Sequence, residues 1–136
     1  MSREILFVEE LTDYLIKQYH AKINYYEGYK SRLILHDKKN GYIYCSIRSS
    51  GNIHIRLMEY IFTREDAVLT YFKMKFEGVK NISVDRVDSW NLVAICQNEN
   101  LDVEEAKINI EKIINVLKKA ADEIGIPVGM DRSDVK

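Results

Sequence analysis

Proline, glycine and cysteine are scarce in this chain, and long apolar runs are absent. One proline and six glycines among 136 residues exclude collagen-like and linker-like sequences. No apolar run approaches the roughly 18 residues of a membrane span, and acidic residues interrupt the N-terminal apolar stretch where a signal peptide has none. With 20 basic and 21 acidic residues, the chain also lacks the positive charge that draws basic domains to nucleic acid. We therefore expect a cytoplasmic protein with no membrane partner and no general affinity for nucleic acid.

The remaining composition is that of an ordinary globular domain. Apolar residues make up 46% of the chain and charged residues 30%, which is enough for a substantial core. No repeat or linker interrupts residues 1–136, so we predict one α+β domain with a loosely held polar tail at 130–136. The abundance of Lys, Ile, Asn and Tyr is typical of an AT-rich genome, such as that of a bacterium or a phage.

The sequence contains neither the cysteine–histidine spacing of a metal site nor a motif for covalent catalysis. Cys45 and Cys96 lie far apart in strand-like segments, and we interpret them as buried, reduced thiols, with a disulfide or a reactive thiol as the alternatives. The signatures of phosphate-binding loops, zinc proteases and serine hydrolases do not occur. The sequence therefore predicts no metal and no cofactor, and it leaves an enzyme as the less favoured class.

Hydrophobic periodicity divides the chain into three helices and six strands. A helical period covers residues 3–19 after Ser2 as N-cap, a second helix begins at Thr63, and a third follows Asp102 and stops at Gly125. Elsewhere the period is two, which is typical of half-buried strands. Strands are predicted at 23–26, 32–36, 42–48, 52–58, 81–87 and 90–97, the last of them central in the sheet. The order α-ββββ-α-ββ-α predicts an α+β fold, a mainly antiparallel sheet with helices packed on one face.

The turn Ser49-Ser50-Gly51 allows the register of one hairpin to be derived. Ile47 must pair with Ile53, because a slip by one residue would expose the apolar side of both strands. This pairing leaves a three-residue loop with glycine at its third position, as a type I turn with a G1 bulge requires. The cross-strand pairs that follow are Ser46 with His54 and Tyr44 with Arg56.

A second turn, Lys39-Asn40-Gly41, joins the two preceding strands and predicts that His36 lies opposite Tyr44. His36 and His54 would then share one sheet face, one residue pair apart. Zinc would need a third and a fourth ligand, and none is evident. We interpret these histidines as solvated or hydrogen-bonded surface residues, with proton transfer or a phosphate contact as alternatives.

The polar face of these strands is the most concrete candidate for a functional site. Aromatic rings beside guanidinium groups can stack on a base and pair with a phosphate or a carboxylate. A plain solvated sheet face and a protein interface are the alternatives. The predicted binding residues are Tyr42, Tyr44, Arg48, His54 and Arg56. Ser46 lies on the same face, and no catalytic residue is predicted.

These patterns favour a small non-catalytic interaction module of the chaperone, inhibitor or adaptor kind. We expect a homodimer or another protein partner, bound through the Tyr/Arg/His face or through the apolar stripe of the long C-terminal helix. The alternative is a binder of a nucleotide or small ligand, for example a phage anti-defence sponge or a sensor. A small nuclease-type enzyme comes third, and nucleic acid is not expected as a partner.

Overall fold

The computed structural model describes residues 2–37, 41–58, 65–86 and 91–125. The predicted element order is confirmed, whereas the helix start at Thr63, strand residues 87 and 90 and the tail 130–136 lie outside the described residues. The helices are α1 (Arg3–Tyr19), α2 (Glu65–Lys75) and α3 (Val103–Ile124). The strands are β1 (Lys22–Tyr26), β2 (Lys30–Asp37), β3 (Gly41–Arg48), β4 (Asn52–Met58), β5 (Ile82–Arg86) and β6 (Asn91–Gln97).

Two helices begin at the caps that the sequence predicts. The Ser2 hydroxyl accepts the backbone N–H of Ile5 at 3.2 Å, and the Asp102 carboxylate accepts that of Glu105 at 3.1 Å. These bonds satisfy amide groups that have no partner inside the helix. The last helix ends at Gly125 in the left-handed region, with φ at 88°. Among the residues that the structure describes, no helix is both long enough and apolar enough to cross a bilayer.

Replacing Asp102 by alanine should lower the free energy of unfolding by about 1 kcal/mol, because one N-terminal amide of α3 loses its acceptor. Urea denaturation followed by circular dichroism measures this difference. Glu99→Ala, which removes an exposed acid just before the same helix, is the control and should change stability little. Equal effects of the two substitutions would mean that charge, and not the cap, is what matters.

All six strands form one antiparallel sheet in the order β1-β2-β3-β4-β6-β5. Strand β6 therefore lies between β4 and β5; it is an interior strand, as predicted, but it stands next to the edge strand β5. Its neighbours Val93 and Ala94 point to opposite faces of the sheet, yet each is only 1% exposed. Burial on both faces explains why the strand is a continuous apolar run and does not alternate.

The helices pack on one face of the sheet, as predicted, and the core lies between them. Phe7, Leu11 and Leu15 of α1 and Phe72 of α2 are buried in the same cluster as the inward residues of the strands. The apolar stripe of α3 is also buried there, through Ala106, Ile110, Ile113, Ile114, Leu117 and Ala120. The stripe is therefore used by the chain's own core, and Ile108 is the apolar residue that the described part of α3 leaves exposed.

Both cysteines lie in this core as free, buried thiols. Burial raises the pKa of Cys45 to about 12, and it also raises the pKa of Cys96. Because the thiolate is the reactive form, both side chains act as small apolar residues at neutral pH.

The register of the β3–β4 hairpin is as derived, with Ile47 opposite Ile53, Ser46 opposite His54 and Tyr44 opposite Arg56. The predicted β2–β3 register is wrong, because His36 pairs with Tyr42 and Ile34 pairs with Tyr44. Asp37 pairs with Gly41, so the hairpin loop consists of residues 38–40 and Gly41 already belongs to β3. His36 and His54 share a face but lie two residue pairs apart.

Candidate functional site

The face of the sheet opposite the helices carries a small side chain surrounded by long ones. Ser46 lies at the centre, paired with Arg32 of β2 on one side and His54 of β4 on the other. Tyr44 and Arg48 precede and follow it on the same face of β3, because side chains alternate along a strand. The short serine side chain among these residues produces a depression in an otherwise densely covered surface.

This depression is a pocket of about 180 Å³. We call it the open-face pocket; its polar lining consists of Asn24, Arg32, Tyr44, Ser46, Arg48, His54 and Arg56. Four of the five predicted binding residues therefore come together here. Tyr42 does not line the pocket, because it lies one pair further along β3, where its ring packs against His36 with a centroid distance of 4.8 Å.

Three residues that line or border the pocket, Asn24, Lys30 and Arg32, are not among those predicted from the sequence. Arg32 stands opposite Ser46 and Lys30 stands opposite Arg48. The alternation of β2 contained the signal for Arg32, since Leu33 and Leu35 face the core and their neighbours must face outward. Asn24 had no such signal, because it reaches the pocket through a bulge in β1 between Ile23 and Tyr25.

Four cations, Lys30, Arg32, Arg48 and Arg56, are concentrated around the pocket, and we call them the cationic cluster. None of them forms a salt bridge with any residue in the described ranges. The pKa of Lys30 is lowered, first by partial burial and then by the positive charges of Arg32 and Arg48. The negative charge of Glu27 opposes this shift. The Glu27 carboxylate, however, accepts a hydrogen bond from the Tyr25 hydroxyl. The cluster is therefore a region of mutual repulsion at neutral pH.

Two uncharged polar groups, the His54 imidazole and the Ser46 hydroxyl, also line the pocket. Burial lowers the pKa of His54, and Arg48, Arg56 and Lys30 lower it further, so the imidazole is neutral at pH 7 and can both donate and accept a hydrogen bond. The Ser46 hydroxyl oxygen is buried and has no hydrogen-bond partner within the described part of the chain. Such a group carries a desolvation cost that a bound ligand would remove.

Acidic groups are sparse on this face. Asp85 of β5 stands in the same row as Arg56, but β6 separates the two strands and no ion pair joins them. Within the described ranges, no group of three or more histidine, cysteine, aspartate or glutamate residues is arranged to hold a metal ion. The arrangement can bind an anion through guanidinium groups, an imidazole and a hydroxyl group. Among the residues that the structure describes, it offers no acid–base pair in contact.

Comparisons with protein families, with curated proteins and with solved structures found no match.

Proposed function

We propose that this protein is a non-catalytic binding module that holds an anionic ligand in the open-face pocket. The observation that carries the proposal is the cationic cluster, which surrounds a depression and has no salt-bridge partner in the described chain. Guanidinium groups form paired hydrogen bonds with carboxylates and phosphates, and Ser46 and His54 can supply further hydrogen bonds. The site thus provides charge, directed donors and space at one place.

The position of the cations within the fold supports this function. Arg32, Arg48 and Arg56 belong to three adjacent strands, which lie about 5 Å apart, so their side chains can approach one ligand from different sides. Their backbones are fixed by the sheet, which lowers the ordering cost of binding. Like charges held close together cost folding free energy, and an anion that binds only the folded state offsets this cost.

The charge of the same face disfavours a homodimer formed through it. In a symmetric dimer each patch meets its own copy, so the arginines of both chains would face one another. Such like-charge contacts oppose association. A ligand or partner that carries negative charge fits the pocket better. The charge of this face therefore favours the small-ligand alternative over self-association.

The substitutions Tyr44→Ala and Arg56→Ala should each weaken anion binding while leaving the melting temperature nearly unchanged. The two side chains stand directly opposite each other and line the pocket, so truncating either should cost about 2 kcal/mol of binding, roughly 30-fold in affinity. Isothermal titration calorimetry with citrate, inorganic phosphate and inorganic pyrophosphate at low ionic strength measures the loss. The double variant should lose less than the sum, because the residues are in adjacent positions.

Lys112→Ala is the matched control, because it removes an exposed cation from α3 on the helical side of the sheet. It should bind each anion as the unchanged protein does. The proposal is wrong if none of the three anions binds, or if Lys112→Ala weakens binding as much as Arg56→Ala does. The second result would show attraction to net charge and not recognition by a site.

A further inference from the structure

The charge and the geometry of the open-face pocket distinguish between classes of anion. We propose that the pocket binds the diphosphate group of a small molecule. This proposal rests on the proposed function and specifies the ligand. The observation behind this proposal is that arginines of three adjacent strands line one small pocket, with the buried Ser46 hydroxyl, which has no hydrogen-bond partner in the described chain, among them. The diphosphate is bound and not cleaved, so the proposal includes no chemical step.

The number of cations favours phosphate over carboxylate. A single carboxylate brings one negative charge and would leave most of the repulsion among Lys30, Arg32, Arg48 and Arg56 in place. A terminal phosphate carries about −1.5 to −2 charges near pH 7, and a second phosphate group raises the total to about −3. Of these anions, a diphosphate comes closest to balancing the cationic cluster.

The direction of the donors also favours phosphate. The arginines lie on three different strands, with Arg32 and Arg56 on either side of β3. A carboxylate accepts hydrogen bonds mainly within its own plane, whereas tetrahedral phosphates present oxygens in several directions. The Ser46 hydroxyl lies between the arginines and can donate to a phosphate oxygen, which would satisfy a group that has no partner in the described chain.

The size of the pocket restricts which part of the ligand is enclosed. At about 180 Å³ it is smaller than the roughly 300–1,000 Å³ of sites that enclose a whole drug-sized ligand. A compact, highly charged group fits inside, and the remainder of the molecule would extend over the sheet surface. Inorganic pyrophosphate and a nucleoside diphosphate share this group, so both serve as probes.

Calorimetric titrations at constant low ionic strength test the proposal with five probes: inorganic pyrophosphate, ADP, inorganic phosphate, citrate and a single-stranded oligothymidylate. Pyrophosphate and ADP should each bind at least about 10-fold more tightly than phosphate and citrate do. Citrate is the control for charge, because its three carboxylates carry a similar total charge in planar groups. Tighter binding of ADP than of pyrophosphate would identify a nucleotide as the source of the diphosphate, and equal binding would identify the diphosphate group alone.

Ser46→Val tests the geometry without changing the charge, because it fills the centre of the pocket and removes the hydroxyl. It should weaken pyrophosphate binding about 10-fold or more, whereas Ser83→Val should have no effect. Ser83 is exposed on the same face but belongs to β5, outside the pocket. If Ser46→Val does not fold, Arg32→Gln and Arg48→Gln replace it, and each should weaken pyrophosphate binding more than citrate binding.

Three results would overturn the inference. Citrate binding as tightly as pyrophosphate would refute the diphosphate class while leaving anion binding intact. Tighter binding of the oligothymidylate than of ADP would identify a nucleic-acid surface in its place. Failure of all five probes to bind would refute both the inference and the proposed function.

Discussion

Replacing Gly51 by alanine should lower the free energy of unfolding by about 3–5 kcal/mol, because two separate costs act at this position. Gly51 has φ at +97°, a conformation that residues with a Cβ rarely adopt. A Cβ at this position would also lie 2.1 Å from the backbone oxygen of Asn98, far inside van der Waals contact. The Gly51 carbonyl accepts hydrogen bonds from both the backbone and the side-chain amide of Asn98, each at 3.0 Å, so any shift of the turn weakens these bonds.

Gly28→Ala separates the two costs. Gly28 also has a positive φ, at +86°, but a Cβ there would meet nothing within 4 Å. The Gly28→Ala variant should therefore lose only about 1–2 kcal/mol of unfolding free energy, the cost of the backbone conformation alone. Urea denaturation of both variants measures the difference. Equal losses would show that the contact between Gly51 and Asn98 does not constrain the turn.

Ile55→Asp should prevent the chain from folding. Ile55 is 1% exposed on β4, where it pairs with Cys45 of β3 and Ala94 of β6 in the middle of the sheet. A carboxylate at this position would have no cationic partner, because the cationic cluster lies on the opposite face. The loss of apolar contacts and the burial of a charge together exceed about 5 kcal/mol, which is comparable to the whole stability of a small domain.

Ile55→Val is the control for this substitution, since it removes one methylene group from the same position. It should fold cooperatively and lose about 0.5–1.5 kcal/mol. Circular dichroism and size-exclusion chromatography compare the two variants. A folded, cooperatively melting Ile55→Asp protein would contradict the inward orientation of this residue.

The two hairpins show where sequence patterns determine register and where they do not. For β3–β4, apolar alternation and the glycine of the turn agree on a single pairing, and this pairing is confirmed. For β2–β3, moving the loop from residues 39–41 to residues 38–40 shifts the pairing by two residues. A shift of two keeps every side chain on its original face, so hydrophobic alternation cannot distinguish the two registers.

The same limit explains how much of the candidate site could be predicted. Tyr44, Arg48, His54 and Arg56 were found because they belong to the hairpin whose register was determined. Arg32 was missed although the alternation of β2 places it on this face; the predicted register puts it opposite Arg48, whereas its actual partner is Ser46. The small size of Ser46 produces the pocket only when all three strands are assembled, and no local pattern in β3 reveals that assembly.

The bulge in β1 also bears on whether the edge of the sheet can pair with a strand of another molecule. Strand β1 is an edge strand with all five residues exposed, including Ile23 at 51% and Tyr25 at 44%. A long, regular edge with such side chains would be a template for uncontrolled growth of the sheet from molecule to molecule. The extra residue, Asn24, interrupts the regular spacing of backbone groups along this edge, and such interruptions disfavour pairing with a second strand. The irregularity that brings Asn24 to the pocket is therefore also a feature that opposes edge-to-edge pairing of sheets.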